Sequence, residues 1–147
     1  MDYINHLTKD KKLAKLLTNH EPFKLKFHKN ICLRLCASIM SQQLSTKVAK
    51  VIYNRFLELY GGEEPTPEQI IATPFDKLRA IGLSNAKTQY VLNVAQFAID
   101  HKLDDKKLKK MSNEEIIELL TQIKGVGKWT VENVAHVYPW PRRCICC

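Results

Sequence analysis

The residues with the clearest chemical use are Ile123-Lys124-Gly125-Val126-Gly127-Lys128-Trp129-Thr130, set between two stretches of helical apolar spacing. Upstream, Ile116, Ile117, Leu119, Leu120 and Ile123 recur at that spacing, and downstream Thr130, Val131, Val134 and Ala135 do the same. Two glycines one residue apart make a tight turn that a residue with a Cβ does not easily follow. The amides that open the next helix then have no intrahelical acceptor, and such amides suit a phosphate. Lys124 and Lys128 place positive charge beside them, and Val126 is expected to turn back into the core and pin the turn. A grip of this kind holds a nucleic-acid backbone and leaves the bases unread. Taken alone, the turn fits a plain helix–loop–helix corner equally well.

Charge points the same way. The chain carries 23 basic against 15 acidic residues, a net charge of +8, which favours an acidic partner, with nucleic acid the first candidate. A solvated lysine surface is the plainer account of the same excess. A length of 147 residues fits one domain, and a hydrophobic fraction of 45% is enough for a sizeable core. The most apolar run, residues 31–40, is broken by Arg34 and is too short to span a bilayer, so no membrane role is expected. The first residues lack the basic and apolar regions of a secretory signal. A cytoplasmic place, at the nucleoid in a bacterium, and unpaired cysteines are therefore expected. Cys32 and Cys36, four apart, read as small core residues. Cys144, Cys146 and Cys147 lack the paired Cys-x2-Cys spacing of a structural zinc site. No metal or cofactor is expected.

The elements that must position the turn are helices. Apolar spacing predicts a helix over residues 5–17 and, after Pro22, a short alternating stretch at Phe23, Leu25 and Phe27. A strongly apolar helix follows from Asn30 to about Met40, interrupted by Ser41-Gln42-Gln43-Leu44. Ser45 caps a helix to about Tyr60 with Val48, Ile52, Phe56 and Leu59 inward, ended by Gly61-Gly62. Thr66-Pro67-Glu68-Gln69 is a capping box, and Thr73-Pro74-Phe75-Asp76 repeats the device, predicting short helices over 67–72 and 74–79. Gly82 closes the second. Ser84 then caps a long helix from Asn85 to about His101, with Val91, Leu92, Ala95, Ala98 and Ile99 inward. A lysine-rich connection at 102–111 leads to a capping box at Ser112-Asn113-Glu114-Glu115 and a helix to Ile123. No strand signal is strong, so the fold class is all-α.

In order and spacing, four stretches resemble the 3-methyladenine DNA glycosylase family of the helix–hairpin–helix base-excision superfamily. They are Ile39-Met40-Ser41-Gln42-Gln43-Leu44-Ser45, then Thr66-Pro67-Glu68 with Leu78-Arg79-Ala80-Ile81-Gly82-Leu83-Ser84, then Lys87 and Tyr90, then Ile123 through Thr130. The resemblance covers roughly residues 20 to 135. It implies a helical body whose cleft receives a damaged base flipped out of double-stranded DNA, and hydrolysis of the N-glycosidic bond of alkylated purines such as 3-methyladenine. It also implies roles. Gln43 matches the wedge that fills the gap left by the flipped base, against the simpler reading that it satisfies helix-end backbone groups. Gly125, Gly127, Lys124, Lys128, Trp129 and Thr130 belong to the DNA-gripping hairpin. Arg79 lies near the DNA, or serves as a surface ion pair, and Lys87 meets a phosphate or is simply solvated. Bifunctional relatives hold a lysine where this sequence has Trp129, so the implied enzyme is monofunctional and uses water. The expected organisation is an N-terminal helix at 1–20, a glycosylase domain at 21–137 with its hairpin at 113–137, and an aberrant tail at 138–147. A monomer is expected.

The sequence also departs from the family. The resemblance places a catalytic aspartate about 20 residues past Trp129, near position 149, whereas the sequence ends at Cys147 and has no acidic residue after Glu132. Glu132 stands too early in its helix to take that role, so no catalytic residue is assigned. Pro139 and Pro141 stop the helix that the family continues. A frameshift or premature end around residue 136 is the expectation, with a catalytically inactive product. The alternatives are a noncatalytic DNA-binding module and a helical protein-interaction domain, whose binding would be insensitive to salt and to Gly127→Ala.

Overall fold

The computed structural model describes residues 30–135, and every regular element among them is a helix, as expected for an all-α chain. The helix expected at 5–17, the alternating stretch at 23–27, and the tail at 138–147 with Cys144, Cys146 and Cys147 lie outside the described residues.

Helix α1 spans Ile31–Ser41, opened by the Asn30 side chain, which accepts from the Leu33 amide at 3.3 Å. It is central, with Leu35, Cys36 and Ile39 wholly buried. Cys32 and Cys36 are core residues, as their spacing predicts. The Cys36 thiol is pushed up from its ordinary value first by its hydrogen bond with Cys32 and then by burial.

Helix α2 spans Thr46–Glu58 under a Ser45 cap. Of the four residues expected inward, Ile52 and Phe56 are buried, whereas Val48 and Leu59 are 46% and 39% exposed. Among the described residues helix α2 leans mainly on α1, and one main neighbouring helix covers a narrower stripe than two would. The chain leaves α2 through Gly61 and Gly62, both at positive φ.

Helix α3, Pro67–Ala72, has the predicted Thr66–Gln69 capping box with both reciprocal bonds formed. Helix α4, Phe75–Ala80, differs from expectation, because Thr73 does not cap it. The Thr73 hydroxyl instead closes α3, donating to the Gln69 carbonyl at 2.8 Å and pairing with the Tyr60 hydroxyl at 2.9 Å. Pro74 takes the cap position without a side-chain bond.

Helix α5, Asn85–Asp100, starts at Ser84 and buries Thr88, Val91, Val94, Ala95 and Ala98. Leu92 and Ile99, expected inward, are half-buried at the edges of that face. Helix α6, Asp105–Leu108, is a single turn inside the lysine-rich connection that drives Leu108 into the core. Helix α7, Asn113–Leu120, carries the predicted Ser112–Glu115 box. It ends three residues short of Ile123, where the Thr121 hydroxyl donates to the Ile117 carbonyl at 2.7 Å. Helix α8, Lys128–Ala135, follows the glycine turn.

Helices α1 and α5 pack together at the centre. Helices α3 and α4 cover α5, while α2 and α8 cover α1, and α7 packs on α8. The buried Arg34 of α1 donates to the Val134 carbonyl of α8, tying the hairpin's second helix to the central one.

Candidate nucleic-acid interface

The glycine turn rests on α5. Gly125 has φ +104, a conformation that favours glycine, and the Tyr90 ring lies directly beneath it. A Cβ added at Gly125 would stand 2.2 Å from the ring Cγ, so the close approach itself demands glycine. One turn along α5, Asn93 Nδ2 donates to the Lys124 carbonyl at 3.1 Å and fixes the other side of the turn. Val126 is 5% exposed and points into the core, as predicted. Gly127 differs from Gly125: its φ is not positive and a Cβ there would meet nothing within 4 Å. No fold requirement for that glycine follows, and the space over it stays open.

The first helical bond of α8 runs from the Val131 amide to the Gly127 carbonyl at 3.1 Å. The amides of Lys128, Trp129 and Thr130 therefore have no acceptor inside the helix. Lys124 is exposed, and the Lys128 ammonium is in solvent, 3.9 Å from Glu132. An exposed pair of this kind contributes little and leaves Lys128 available to an anion. Thr130 is 3% exposed, so its side chain is turned inward and only its amide can serve the turn.

Beside the hairpin lies a cleft of about 820 Å³. Ser38, Ser41, Gln42, Gln43 and Leu44 form one wall, Ser84, Ala86, Lys87 and Tyr90 the second, and Trp129 and Asn133 the third. Trp129 is 68% exposed, the most open large apolar side chain among the described residues. Its indole face is free for a planar ligand. Among the described residues no carboxylate lines the cleft.

The Ser41–Leu44 turn has its own geometry. Gln43 is exposed at φ +59, a left-handed conformation that costs a non-glycine residue of order 1–3 kcal/mol unless its surroundings hold it. Gln42 turns the other way, its Nε2 donating to the Thr130 Oγ1 at 3.4 Å. Lys87 is neither free nor simply solvated. Its ammonium donates to the Gln42 carbonyl at 2.6 Å and the Met40 carbonyl at 3.2 Å, and burial lowers its pKa from the ordinary lysine value. Arg79 is exposed at the end of α4 and does not line the cleft. The structure thus brings Gln43, Lys87, Trp129 and the glycine turn together and leaves Arg79 apart.

Ser38, Asn133 and Tyr90 line the cleft without having been singled out as site residues. Their spacing carries a signal. Asn133 follows Trp129 by one helical turn and Ser38 precedes Ser41 by one, so each shares a face with a residue already in the site.

The family model for the HhH-GPD superfamily base excision DNA repair protein matches residues 36–138. DNA-3-methyladenine glycosylase 1 of Schizosaccharomyces pombe is 40% identical over 124 residues, which cover 83% of this chain and 54% of that protein. The chain thus spans about half the length of this relative. Among solved structures, the S. pombe 3-methyladenine DNA glycosylase in complex with abasic DNA superposes with a TM-score of 0.77 at 37% identity, covering 92% of this chain and 68% of that one. A DNA-3-methyladenine glycosidase from Bacillus halodurans gives a TM-score of 0.70 at 33% identity, over 88% of this chain and 59% of that one.

Proposed function

Because the chain belongs to the HhH-GPD superfamily of base excision DNA repair proteins, we propose that it supplies the DNA grip and base pocket of a monofunctional 3-methyladenine DNA glycosylase. One observation carries the reading: the Gln43 turn and the exposed Trp129 line one cleft, and Tyr90, which also lines it, supports the glycine turn at Gly125. In this proposal the amides after Gly127, with Lys124 and Lys128, hold a backbone phosphate. Gln43 enters the duplex, and the displaced base turns into the cleft, where unpairing costs least for a damaged base. An alkylated purine carries positive charge, which favours a face-on contact with the Trp129 indole. Water then attacks the sugar carbon, the glycosidic bond breaks, and its electron pair leaves with the base. A nearby carboxylate would stabilise the positive charge that develops on the sugar.

Among the described residues that carboxylate is not found in the cleft. The nearest acidic group of the hairpin helix, Glu132, is not on the cleft wall and faces Lys128. A polypeptide of these 147 residues alone is therefore expected to bind alkylated duplex DNA as a monomer without releasing the base. The test is release of free 3-methyladenine from methylated DNA, run beside binding to the same DNA. Binding without release is the expected result. Efficient release overturns the expected inactivity, and absence of binding overturns the whole reading.

A second reading, a DNA-binding module with no catalytic partner residues anywhere, draws on the same observation that no described carboxylate lines the cleft. Assaying release from the polypeptide encoded by the full gene separates the two.

A further inference from the structure

Gln43 stands in a left-handed conformation at the mouth of the cleft, and nothing in its own sequence prefers that geometry. The residues around it supply the cause. Helix α1 ends at Ser41, so the carbonyls of its last turn lack amide partners within the helix. Lys87, reaching from the first turn of α5, donates to the carbonyls of Met40 and Gln42, which flank Ser41. The Gln42 carbonyl belongs to the peptide that enters Gln43, so its orientation governs the Gln43 φ directly. The Gln42 side chain is in turn fixed to the buried Thr130 hydroxyl, in the first turn of α8 beside Trp129. Two struts thus converge on one peptide, one from α5 and one from the hairpin helix.

We propose that Lys87 is a positioning residue for Gln43, acting through the Gln42 carbonyl, and that the Gln42–Thr130 bond joins this turn to the hairpin helix so that both engage DNA as one unit. This rests on the DNA reading above. Lys87 then serves the duplex without touching it. The carbonyls it holds are polarised by the ammonium through charge-assisted hydrogen bonds. Replacing Lys87 frees the peptide before Gln43, and Gln43 relaxes out of the left-handed region. The phosphate grip of the turn after Gly125 is left in place, because Tyr90 and Asn93 hold that turn independently.

The experiment is a double-mutant cycle on the full 147-residue chain. Affinities for an intact duplex and for the same duplex with one abasic site are measured for wild type, Lys87→Met, Gln43→Ala and the double variant. Far-UV circular dichroism verifies each fold. Wild type is expected to prefer the abasic duplex. Lys87→Met should lose that preference by about five-fold or more, the lower range of measured site-to-site coupling. In the Gln43→Ala background Lys87→Met should change the preference by less than about two-fold, since nothing remains to position. A merely structural lysine would lower both affinities in either background. Lys87→Arg, which keeps two donors for the two carbonyls, should restore most of the preference, and Gln42→Ala should reproduce the loss if Lys87→Met does not fold. A preference kept by both Lys87→Met and Gln42→Ala, or equal losses with and without Gln43, overturns the inference while the DNA reading stands. A wild-type chain that binds no duplex overturns both.

Discussion

The Tyr90 ring and Gly125 are in such close contact that a methyl group at Gly125 would fall 2.2 Å from the ring Cγ. The helix that frames the cleft is therefore also the support of the glycine turn. Gly125 is needed twice, for its φ of +104 and for the absence of a side chain. Gly125→Ala should destabilise the chain by about 2–4 kcal/mol, the range of backbone strain combined with overpacking. Urea denaturation with Tyr90→Ala as a second background separates the terms. The ring clash should disappear there and the backbone strain remain.

Trp129 is 68% exposed, so its indole contributes little to the fold. Trp129→Ala should leave stability within about 0.5 kcal/mol. If a base stacks on the indole, the same change should weaken binding to duplexes bearing a flipped or missing base by about 1–3 kcal/mol. Calorimetric melting and a binding titration on the same preparation give both numbers. A large fall in melting temperature would mean that Trp129 is held by the fold and not by a ligand.

Tyr60 gives a pH dependence with a defined sign. Burial, chiefly, raises its phenol above the usual 10.0, while the hydrogen bond with Thr73 works in the opposite direction. Tyr53 is raised as well, by burial first and then by the Glu64 charge. Both groups keep their protons longer in the folded chain than in the unfolded one. Their contribution is complete below pH 10 and is lost as pH rises through the folded values. Absorbance at the phenolate band should show tyrosines titrating late, and Tyr60→Phe should flatten the loss of stability above pH 10.

Much of this arrangement is legible in the sequence because it is local. The Thr66–Gln69 and Ser112–Glu115 boxes need four residues each, and both form as read. The turn around Val126 is likewise set by its own glycine and flanking apolar residues. What escapes the sequence is made across distance. Lys87 meets carbonyls 45 and 47 residues away, and no periodicity encodes that meeting. Thr73 looks like a cap until Tyr60, 13 residues earlier, proves to be its partner. Val48 has the right helical phase to be buried and is not, because among the described residues no helix packs on that side of α2.

The two lysines of the turn carry a quantitative expectation. Lys124 and Lys128 are both exposed, and neither supports the core. Lys128→Ala and Lys124→Ala should each weaken duplex binding without regard to sequence and reduce the salt slope by about 1. Melting temperatures should hardly move. A loss of binding with an unchanged slope would place the lysine away from the phosphates.

In the proposed function the glycine turn and the start of α8 hold a DNA phosphate. The most direct measurement is duplex affinity for wild type and Gly127→Ala, from about 50 to 200 mM salt. Gly127 has open space around it, so an added methyl group should not disturb the fold and should intrude only on what approaches from outside. Log affinity should fall linearly with log salt, and Gly127→Ala should bind at least about tenfold more weakly with an unchanged melting temperature. Binding insensitive to both salt and Gly127→Ala would contradict that phosphate grip.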